Sequence, residues 1–518
     1  MRARLLFALL VLGGCQPPEP SFLPRPVDAR IEEETFTLSA TTPVRAPPEL
    51  ADEAAWWRGQ LGDFPPLEGL EGPASGAITL GLDPALGPEA YVLEVTGDGV
   101  TISGGGGAGV LYGLVTLRQA LPAETFARVG SADAWDIRRM RVEDAPRFGH
   151  RGYLFDEARW FFGADMVRRV IDWMVLHRLD VLHWHLTDDQ GWRIEIRAWP
   201  RLTSVGGFRA GSQLGDWFGE TDEVDPTPTG GFYTQDEIRA VVDYARRRHV
   251  TVIPEIDVPG HATAALAAYP SLACTDGPFE VSPYFTTHED ILCVCEEDTF
   301  TFLESVLDEV MELFDAEAIH IGGDEVPTTR WAEDPACAAL VEAEGLGSTD
   351  ALHGWAMGRL ARYLEARGRR AVVWYEAFGP HLPASAIVQR WRLEQDPTPP
   401  LAAGHAMIHS PYRPAYLNRD YDYASVEAAY AFDPVPDGVE APLDAAVLGF
   451  EACMWTPWDG TVAEVEYQTF PRLAALAEGG WTPRAARDWG DFSARLPAML
   501  ERYEALGIEW GGPDRPSP

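Results

Sequence analysis

The sequence predicts an α/β fold, a (β/α)₈ TIM barrel preceded by a small α+β domain. After Arg147, short apolar segments alternate with amphipathic segments of helical period, and eight such pairs fit within about 350 residues. Before Pro146, short strands are separated by turns. A chain of 518 residues with 46% hydrophobic and 23% charged residues has the composition of an ordered globular protein. We therefore expect two folded units.

The smaller unit is predicted to span residues 28–147. Its candidate strands include 77–80 and 91–95, and a glycine-rich segment at 103–109 leads into a predicted helix at 110–121. The glycine run carries no lysine and no nucleotide-binding fingerprint, so we interpret it as a turn.

The barrel is predicted to span residues 148–510. The sequence favours helices at 166–177, 234–248 and 299–314. Its candidate strands are 152–155, 181–185, 251–256, 318–321, 371–374, 386–391, 406–409 and 446–450. Such a barrel carries its active site at the carboxyl ends of the strands.

The first residues are typical of an export signal. Arg2 and Arg4 precede an apolar run that is too short to span a bilayer, and Gly13-Gly14-Cys15 follows. This order resembles a bacterial lipobox, so we predict a signal at 1–15, lipidation of Cys15 and a proline-rich tether at 16–27. The protein would then be exported and lipid-anchored to the cell envelope, its only membrane contact. The alternative is an ordinary signal peptide with an incidental cysteine.

Charge and residue usage exclude several functions. The chain has 41 basic and 80 acidic residues, a formal net charge of −39, which disfavours nucleic-acid binding. All the basic residues are arginine. Without lysine, Schiff-base and pyridoxal-phosphate chemistry are excluded.

Five cysteines remain beyond Cys15, and an odd number cannot all pair within one chain. Because an exported protein meets an oxidising compartment, we expect one or two disulfides, with Cys274 to Cys293 as the first choice. Cys293 and Cys295 lack the spacing of a zinc site.

The end of the fourth predicted strand is rich in acids. His320-Ile321-Gly322-Gly323 is followed by Asp324 and Glu325, and the glycines allow a turn that brings both carboxyl groups into one cleft. Two neighbouring carboxyl groups suit divided acid and base roles. The alternative is a helix-capping Asp beside a solvated Glu. Trp374, Trp391 and Trp455 also fall at strand ends, where indole faces can stack on sugar rings.

These motifs together resemble the family 20 glycoside hydrolases, the β-N-acetylhexosaminidases. The resemblance runs from about the start of the helix after Gly109 to Trp481, and it implies that the preceding small domain is the α+β module these enzymes usually carry. It rests on Arg151-Gly152 with Asp156 and Arg159, on the segment from Leu182 to Arg193, on the segment from Ile253 to His261, and on His320 to Glu325.

The resemblance implies a role for each matching residue. Glu325 would be the general acid, Asp324 would orient the substrate's acetamido group, and Tyr416 would bind the acetamido oxygen. His261, with Asp180, would tune the acid. Arg151 would grip ring hydroxyls, while Trp374, Trp391 and Trp455 would form the walls of the sugar pocket. The acetamido oxygen itself would attack C1, giving an oxazolinium intermediate and net retention.

Three positions depart from the family pattern. Asn418 stands where the family usually has Asp, Pro457 where it usually has Glu, and Trp160 where it usually has His. The two missing acids normally hold the outer hydroxyls of the terminal sugar, so the reaction is implied more firmly than the sugar preference.

The implied partner is a glycan or glycoconjugate with a terminal N-acetylhexosamine, and no cofactor or metal is expected. One alternative is a metal-dependent barrel hydrolase using His183, His185, His261, His320 and Asp324. A second alternative is an inactive glycan-binding lipoprotein. Oligomeric state is not readable from the sequence.

Overall fold

The computed structural model of the protein describes residues 19–39, 41–61, 75–127, 134–215, 221–513, 515 and 518. Within these ranges, no helix has both the length and the apolar character needed to cross a bilayer. The predicted signal, Cys15 and the first residues of the predicted tether lie outside the described residues.

The amino-terminal domain is a six-stranded sheet with helices. The elements are β1 Asp28–Ser39, β2 Val44–Arg45, α1 Ala51–Leu61, β3 Ala77–Leu82, β4 Tyr91–Thr96, β5 Gly99–Gly104, α2 Gly107–Gln119 and β6 Ala134–Asp144. The sheet order is β1-β6-β4-β5-β3-β2, and helix α2 packs on β4 and β5. Residues 109–119 of α2 are all buried, which explains its nearly continuous apolar sequence. The predicted α+β domain is confirmed.

Eight parallel strands close into a barrel, in chain order, with the last strand paired to the first. They are β7 His150–Asp156, β8 Val181–His185, β9 Thr251–Glu255, β10 Ala318–His320, β11 Arg370–Trp374, β12 Ile387–Arg390, β13 Ala406–His409 and β14 Val447–Met454. Each of the eight predicted strands is present, with ends that differ from the predicted ends by up to four residues. Three ladders of two-residue strands lie in the long connection between β8 and β9.

Helices connect the strands and follow the barrel. They are α3 Ala164–Leu176, α4 Arg201–Ser204, α5 Gln235–Arg246, α6 Thr263–Ala268, α7 Glu297–Leu313, α8 Thr329–Glu333, α9 Pro335–Glu344, α10 Ala351–Glu365, α11 Thr398–Ala402, α12 Val426–Ala431, α13 Val462–Thr469, α14 Arg472–Trp481 and α15 Trp489–Leu506. Helix α5 begins with a capping box, in which Thr234 and Glu237 satisfy each other's backbone N–H groups. The three helices predicted for the barrel correspond to α3, α5 and α7.

The barrel interior is apolar toward the amino ends of the strands and polar toward their carboxyl ends. Side chains from six strands form the apolar layer: Val181, Ile253, Ala318, Val372, Ile387 and Ile408. Nearer the carboxyl ends, the interior positions carry histidines and glutamates. Since side chains alternate along a strand, His183 and His185 share the inner face while Trp184 faces the surrounding helices.

The structure tests the predicted disulfide and the predicted tether. The disulfide Cys274–Cys293 is present, a second joins Cys295 to Cys337, and Cys453 is a buried free thiol. The predicted tether is too long, because Phe22 and Leu23 are buried and Leu23 exchanges backbone hydrogen bonds with the Gln119 amide. Residues from Phe22 onward therefore belong to the folded body.

Candidate active site

Asp324 and Glu325 lie on a sharp turn directly after β10. Gly322 and Gly323 adopt φ values of 66° and 95°, and Glu325 itself has φ of 49°. A Cβ atom at Gly322 would collide with the Asp257 carboxylate, so only glycine fits there. The turn places both carboxyl groups at the carboxyl end of the barrel, as predicted.

His261 faces this acid pair. Its Nε2 atom lies 3.8 Å from Asp324 Oδ2 and 3.8 Å from Glu325 Oε2. Like Glu325, His261 is a non-glycine residue in the left-handed region, with φ of 49°, and such conformations concentrate at functional sites. Among the described residues, neither His261 Nε2 nor the buried Asp324 Oδ1 has a hydrogen-bond partner. Buried polar atoms are normally satisfied, so these two are available to a ligand.

The electrostatics of the pair follow from its burial. Burial raises the pKa of Asp324 to about 7; His261 opposes this shift, while Glu325 and Glu376 add to it. Burial alone would lower the pKa of His261, but Asp188, Asp257 and Asp324 raise it well above its usual value. His261 is therefore an imidazolium beside two carboxyl groups.

Glu325 also borders an open cleft of about 640 Å³. Arg392 Nη2 donates to Glu325 Oε1 at 3.0 Å, and Thr287 Oγ1 lies 3.3 Å from Glu325 Oε2. The same arginine donates through Nε to Glu376 at 3.2 Å. Glu325 thus has one side toward His261 and the other toward this open cleft.

Four aromatic side chains form a cluster near Asp324, whose charge acts on Tyr416. Trp374 and Trp455 lie 6.0 Å apart between ring centroids, Tyr416 lies 6.0 Å from Trp455, and Trp391 stacks on Tyr416 at 6.1 Å with an interplanar angle of 9°. All four belong to one apolar cluster. The predicted convergence of the three tryptophans and Tyr416 is therefore present.

Local backbone contacts hold these rings in place. Trp374 ends β11, and its indole N–H donates to Glu255 Oε1 at 2.8 Å. Tyr416 forms a β-bridge with Cys453 of β14, with Leu417 donating to Cys453 and Cys453 to Ala415, each at 2.8 Å. This bridge brings the Tyr416 loop beside Trp455.

The three departures from the family pattern lie in or next to this region. Trp160 donates its indole N–H to the Pro457 carbonyl at 3.3 Å, so two of the departures contact each other. Asn418 is completely buried, and neither atom of its side-chain amide has a hydrogen-bond partner within the described chain. Whether Asn418 contacts the sugar stays a prediction.

The predicted substrate-binding role of Arg151 is wrong. Arg151 lies near the amino end of β7, between His150 and Gly152 of the inner face, so it points away from the barrel interior. Its side chain is fully buried, where it donates to Glu89, Tyr112, Phe148 and Arg178. It joins the barrel to the amino-terminal domain instead of contacting a ligand.

The predicted pairing of Asp180 with His261 is wrong for the same reason. Asp180 precedes β8 and accepts a hydrogen bond from the Arg151 backbone N–H at 2.7 Å. The partner of His261 is Asp188, in the loop after β8, whose Oδ1 lies 3.2 Å from His261 Nδ1. The two aspartates lie at opposite ends of the same strand.

Arg159 is a site residue that the sequence prediction missed. Its Nη2 lies 2.6 Å from Asp188 Oδ2, and its guanidinium lies 5.1 Å from the Trp455 ring centroid. Both Arg159 and Asp188 stand in quoted motifs, each a few residues after a barrel strand. The sequence did carry a signal for this: Arg159 follows the carboxyl end of β7, where barrel active sites lie, whereas Arg151 is near the amino end of the same strand.

The histidines proposed for a metal site are paired with carboxylates instead. His183 Nε2 lies 3.0 Å from Glu255 and its Nδ1 lies 2.8 Å from Glu451. Burial lowers the pKa of His183, but Glu451 and Glu255 offset this and raise it to about 10. In this state His183 is held between two carboxylates, one at each ring nitrogen. The metal-hydrolase alternative is left to experiment, because these histidines and carboxylates lie close enough together to hold an ion.

Comparisons with known proteins agree with this geometry. The model of "Glycosyl hydrolase family 20, catalytic domain" matches residues 148–484, and that of "Glycosyl hydrolase family 20, domain 2" matches residues 19–145.

Curated relatives and solved structures extend the match. A β-N-acetylhexosaminidase of Cellulomonas fimi is 32% identical over 95% of this chain and 96% of its own length. A β-hexosaminidase of Porphyromonas gingivalis is 36% identical over 85% of this chain, which spans 57% of that longer relative. The solved structure of the GH20 β-N-acetylhexosaminidase of Streptomyces coelicolor has a TM-score of 0.83 at 30% identity, covering 97% of this chain and 100% of its own. The chain therefore belongs to glycosyl hydrolase family 20.

Proposed function

We propose that this glycoside hydrolase is a retaining exo-β-N-acetylhexosaminidase that removes terminal N-acetylglucosamine or N-acetylgalactosamine by substrate-assisted catalysis. The observation that carries the proposal is the acid pair: Glu325 borders an open cleft, and Asp324 interacts electrostatically with Tyr416 of the aromatic cluster. Relatives that cover nearly the full chain are named as β-N-acetylhexosaminidases, which supports the same reaction.

In the first step, the glycosidic bond between C1 and the leaving oxygen breaks. Glu325 donates its proton to that oxygen, and the oxygen of the substrate's acetamido group forms a bond to C1. Asp324 lies beside Glu325 and orients the acetamido group, while Tyr416 donates a hydrogen bond to the acetamido oxygen. The product of the step is an oxazolinium ion, whose positive charge the Asp324 carboxylate stabilises.

In the second step, water opens the oxazolinium ion. The Glu325 carboxylate removes a proton from the water, the water oxygen forms a bond to C1, and the acetamide is restored. Because C1 is attacked twice from opposite faces, the anomeric configuration is retained. The His261 imidazolium lies 3.8 Å from both carboxyl groups and favours the charged form of each.

The test is an assay with chromogenic β-glycosides of N-acetylglucosamine, N-acetylgalactosamine, their 6-sulfated forms and glucose. We expect turnover of the N-acetyl sugars, a β-configured first product by NMR, and little hydrolysis of the glucoside. Equal rates on the glucoside would contradict substrate assistance. No turnover of any N-acetyl sugar would favour the inactive glycan-binding alternative.

A second arm of the assay addresses metals. Activity that survives dialysis against a chelator, with no zinc in the purified protein by elemental analysis, is the expected result. Loss of activity restored by a divalent metal would revive the metal-hydrolase alternative.

We also infer that the protein is exported and lipid-anchored through Cys15. The inference rests on the order of basic residues, apolar run, Gly13-Gly14 and Cys15. Metabolic labelling with a fatty-acid analogue in a bacterial host tests it: the wild-type chain should carry the label and enter the membrane fraction, while Cys15→Ser should do neither. An unlabelled wild-type chain would indicate an ordinary signal peptide.

A further inference from the structure

A chain of alternating acids and histidines occupies the polar interior of the barrel. We call it the axial chain, and it consists of Glu451, His183, Glu255, His185, Asp188 and His261. Each member is buried or nearly so, and each contacts the next. Glu451 lies 2.8 Å from His183, His183 lies 3.0 Å from Glu255, and His185 lies 3.0 Å from Asp188. The chain ends beside the catalytic carboxyl groups, where His261 faces Asp324 and Glu325.

Glu255 is the point at which this chain meets the wall of the sugar pocket. Its Oε2 atom contacts both His183 Nε2 and His185 Nδ1, while its Oε1 atom accepts the Trp374 indole N–H at 2.8 Å. His320 Nδ1 lies 2.9 Å from the same Oε1 atom. One carboxylate, with no exposed surface, thus fixes both a pocket tryptophan and the orientation of His185.

We propose that Glu255 is a positioning residue that couples the Trp374 wall of the sugar pocket to the orientation of His261 beside the catalytic acid pair. The proposal rests on the proposed function and deepens it. Glu255 touches no reacting atom. It acts through His185, whose other nitrogen meets Asp188, and Asp188 in turn sets which way the His261 ring faces.

The charges along the axial chain support this role. Burial lowers the pKa of His185, but the Glu255 and Asp188 carboxylates, with Asp156, raise it to about 9. Burial alone would raise the pKa of Glu255, yet His320, His185 and His183 hold it well below its usual value. Acids and imidazolium ions therefore alternate in sign. Replacing Glu255 with a neutral group would leave two imidazolium rings facing each other without the anion between them.

Carboxylates and aromatic rings surround His183 and His185. His185 faces Glu255 and Asp188 directly, with Asp156 nearby and Trp455 packed edge-on at 4.9 Å. His183 faces Glu255 and Glu451 and stacks on His320 at 4.5 Å between ring centroids. Because the direct partners of both rings are carboxylates, losing one of these must lower the pKa of each.

The experiment compares Glu255→Gln with a matched control, Glu478→Gln. Glu478 is equally buried, but it pairs with Arg495 at 2.8 Å, away from the axial chain. For Glu255→Gln we expect kcat to fall about 10²-fold, the loss that small misplacements of catalytic groups cause. KM should also rise, because the single acceptor oxygen of Gln cannot serve both the Trp374 indole N–H and the N–H groups of the two histidines. In ¹⁵N NMR titrations, the pKa values of His183 and His185 should each fall by more than one unit.

The control separates positioning from general stability. Glu478→Gln should lower the melting temperature while kcat and the histidine titrations stay at their wild-type values. The proposal is overturned if Glu255→Gln retains wild-type kcat, or if Glu478→Gln loses kcat equally. Should Glu255→Gln not fold, the wild-type titration decides alone: His183 and His185 that titrate near pH 6.5 would overturn it.

The NMR arm needs no turnover. A wild-type chain that hydrolyses no N-acetyl sugar would remove the proposed function, while the titration would still report whether Glu255 holds the two histidines charged.

Discussion

The two ends of the barrel use the same residue types for different purposes. At the amino end, all the guanidinium N–H groups of Arg151 are engaged by Glu89, Tyr112 and two backbone carbonyl oxygens. At the carboxyl end, Arg159 pairs with Asp156 and Asp188, but nearby polar atoms of His261 and Asp324 have no partner among the described residues. Both ends are built of arginine and buried carboxylates.

The clearest difference lies between the Arg151 guanidinium and the acid pair. Backbone strain does not distinguish the two ends, because Arg178 and His249 near the amino end share the left-handed conformation of His261 and Glu325. Every donor of the Arg151 guanidinium is used by the amino-terminal domain and by nearby carbonyl oxygens. At the carboxyl end, His261 Nε2 and Asp324 Oδ1 have no hydrogen-bond partner within the described chain. Because buried polar atoms are normally paired, the acid pair is where we propose that the ligand binds.

The largest expected effect is at the acid pair. Glu325→Gln removes the proton donor, so we expect kcat for substrates with poor leaving groups to fall about 10³-fold, within the range for general acid catalysis. Sugar binding should be nearly unchanged, because the aromatic pocket is intact. Steady-state kinetics and calorimetric titration with the product sugar measure both. Full turnover in this variant would contradict the assignment of Glu325 as the general acid.

Replacing Arg151 or Arg159 in turn tests whether the two ends of the barrel serve different purposes. Arg151→Met leaves Asp180 and Glu89 without their cation, and breaking a buried ion pair in this way costs about 3–5 kcal/mol of unfolding free energy. Its kcat per folded molecule should stay at the wild-type value. Arg159→Met should instead lose kcat, because Asp188 and Trp455 lose a contact. Denaturation curves paired with kinetics distinguish the two, and equal kcat losses would show that both ends serve the active site.

Asp324→Asn keeps the size of the side chain but removes its charge. We expect turnover of N-acetyl substrates to fall about 10²-fold, since the developing positive charge of the oxazolinium loses its anion. The same variant with a β-glucoside should lose little of its small basal rate. A uniform loss on both substrates would mean that Asp324 serves the fold and not the acetamido group.

The axial histidines make stability depend on pH. His183 and His185 have folded-state pKa values of about 10 and about 9, above the ordinary value of 6.5. Their contribution is therefore fully present below about pH 6.5 and is lost as the pH rises through 9 to 10. Melting temperatures measured from pH 6 to pH 10 should decline in the alkaline half. A flat profile there would contradict the charged axial chain.

The smallest expected effect is on sugar preference. Asn418→Asp restores the acid that is usual at this position in the family, and we expect the ratio of kcat/KM for N-acetylglucosamine over N-acetylgalactosamine to change about tenfold. Paired assays of the two chromogenic sugars measure it. An unchanged ratio would place Asn418 outside the sugar pocket.

The sequence by itself determined the eight strands and the acid pair with its tryptophans, because strand periodicity, turn glycines and motif order are local properties of the chain. It gave the Cys274–Cys293 disulfide only as a first choice, since cysteine connectivity is not readable from sequence. The pairing of His261 with Asp188 needed the tertiary structure, because the loops after β8 and β9 meet only when these two strands lie side by side. Barrel closure also brought Glu255 into contact with Trp374 and His183, and it placed Glu451 at the other ring nitrogen of His183. Such contacts depend on how strands far apart in sequence align side by side, and that register is set by the packing of the whole barrel.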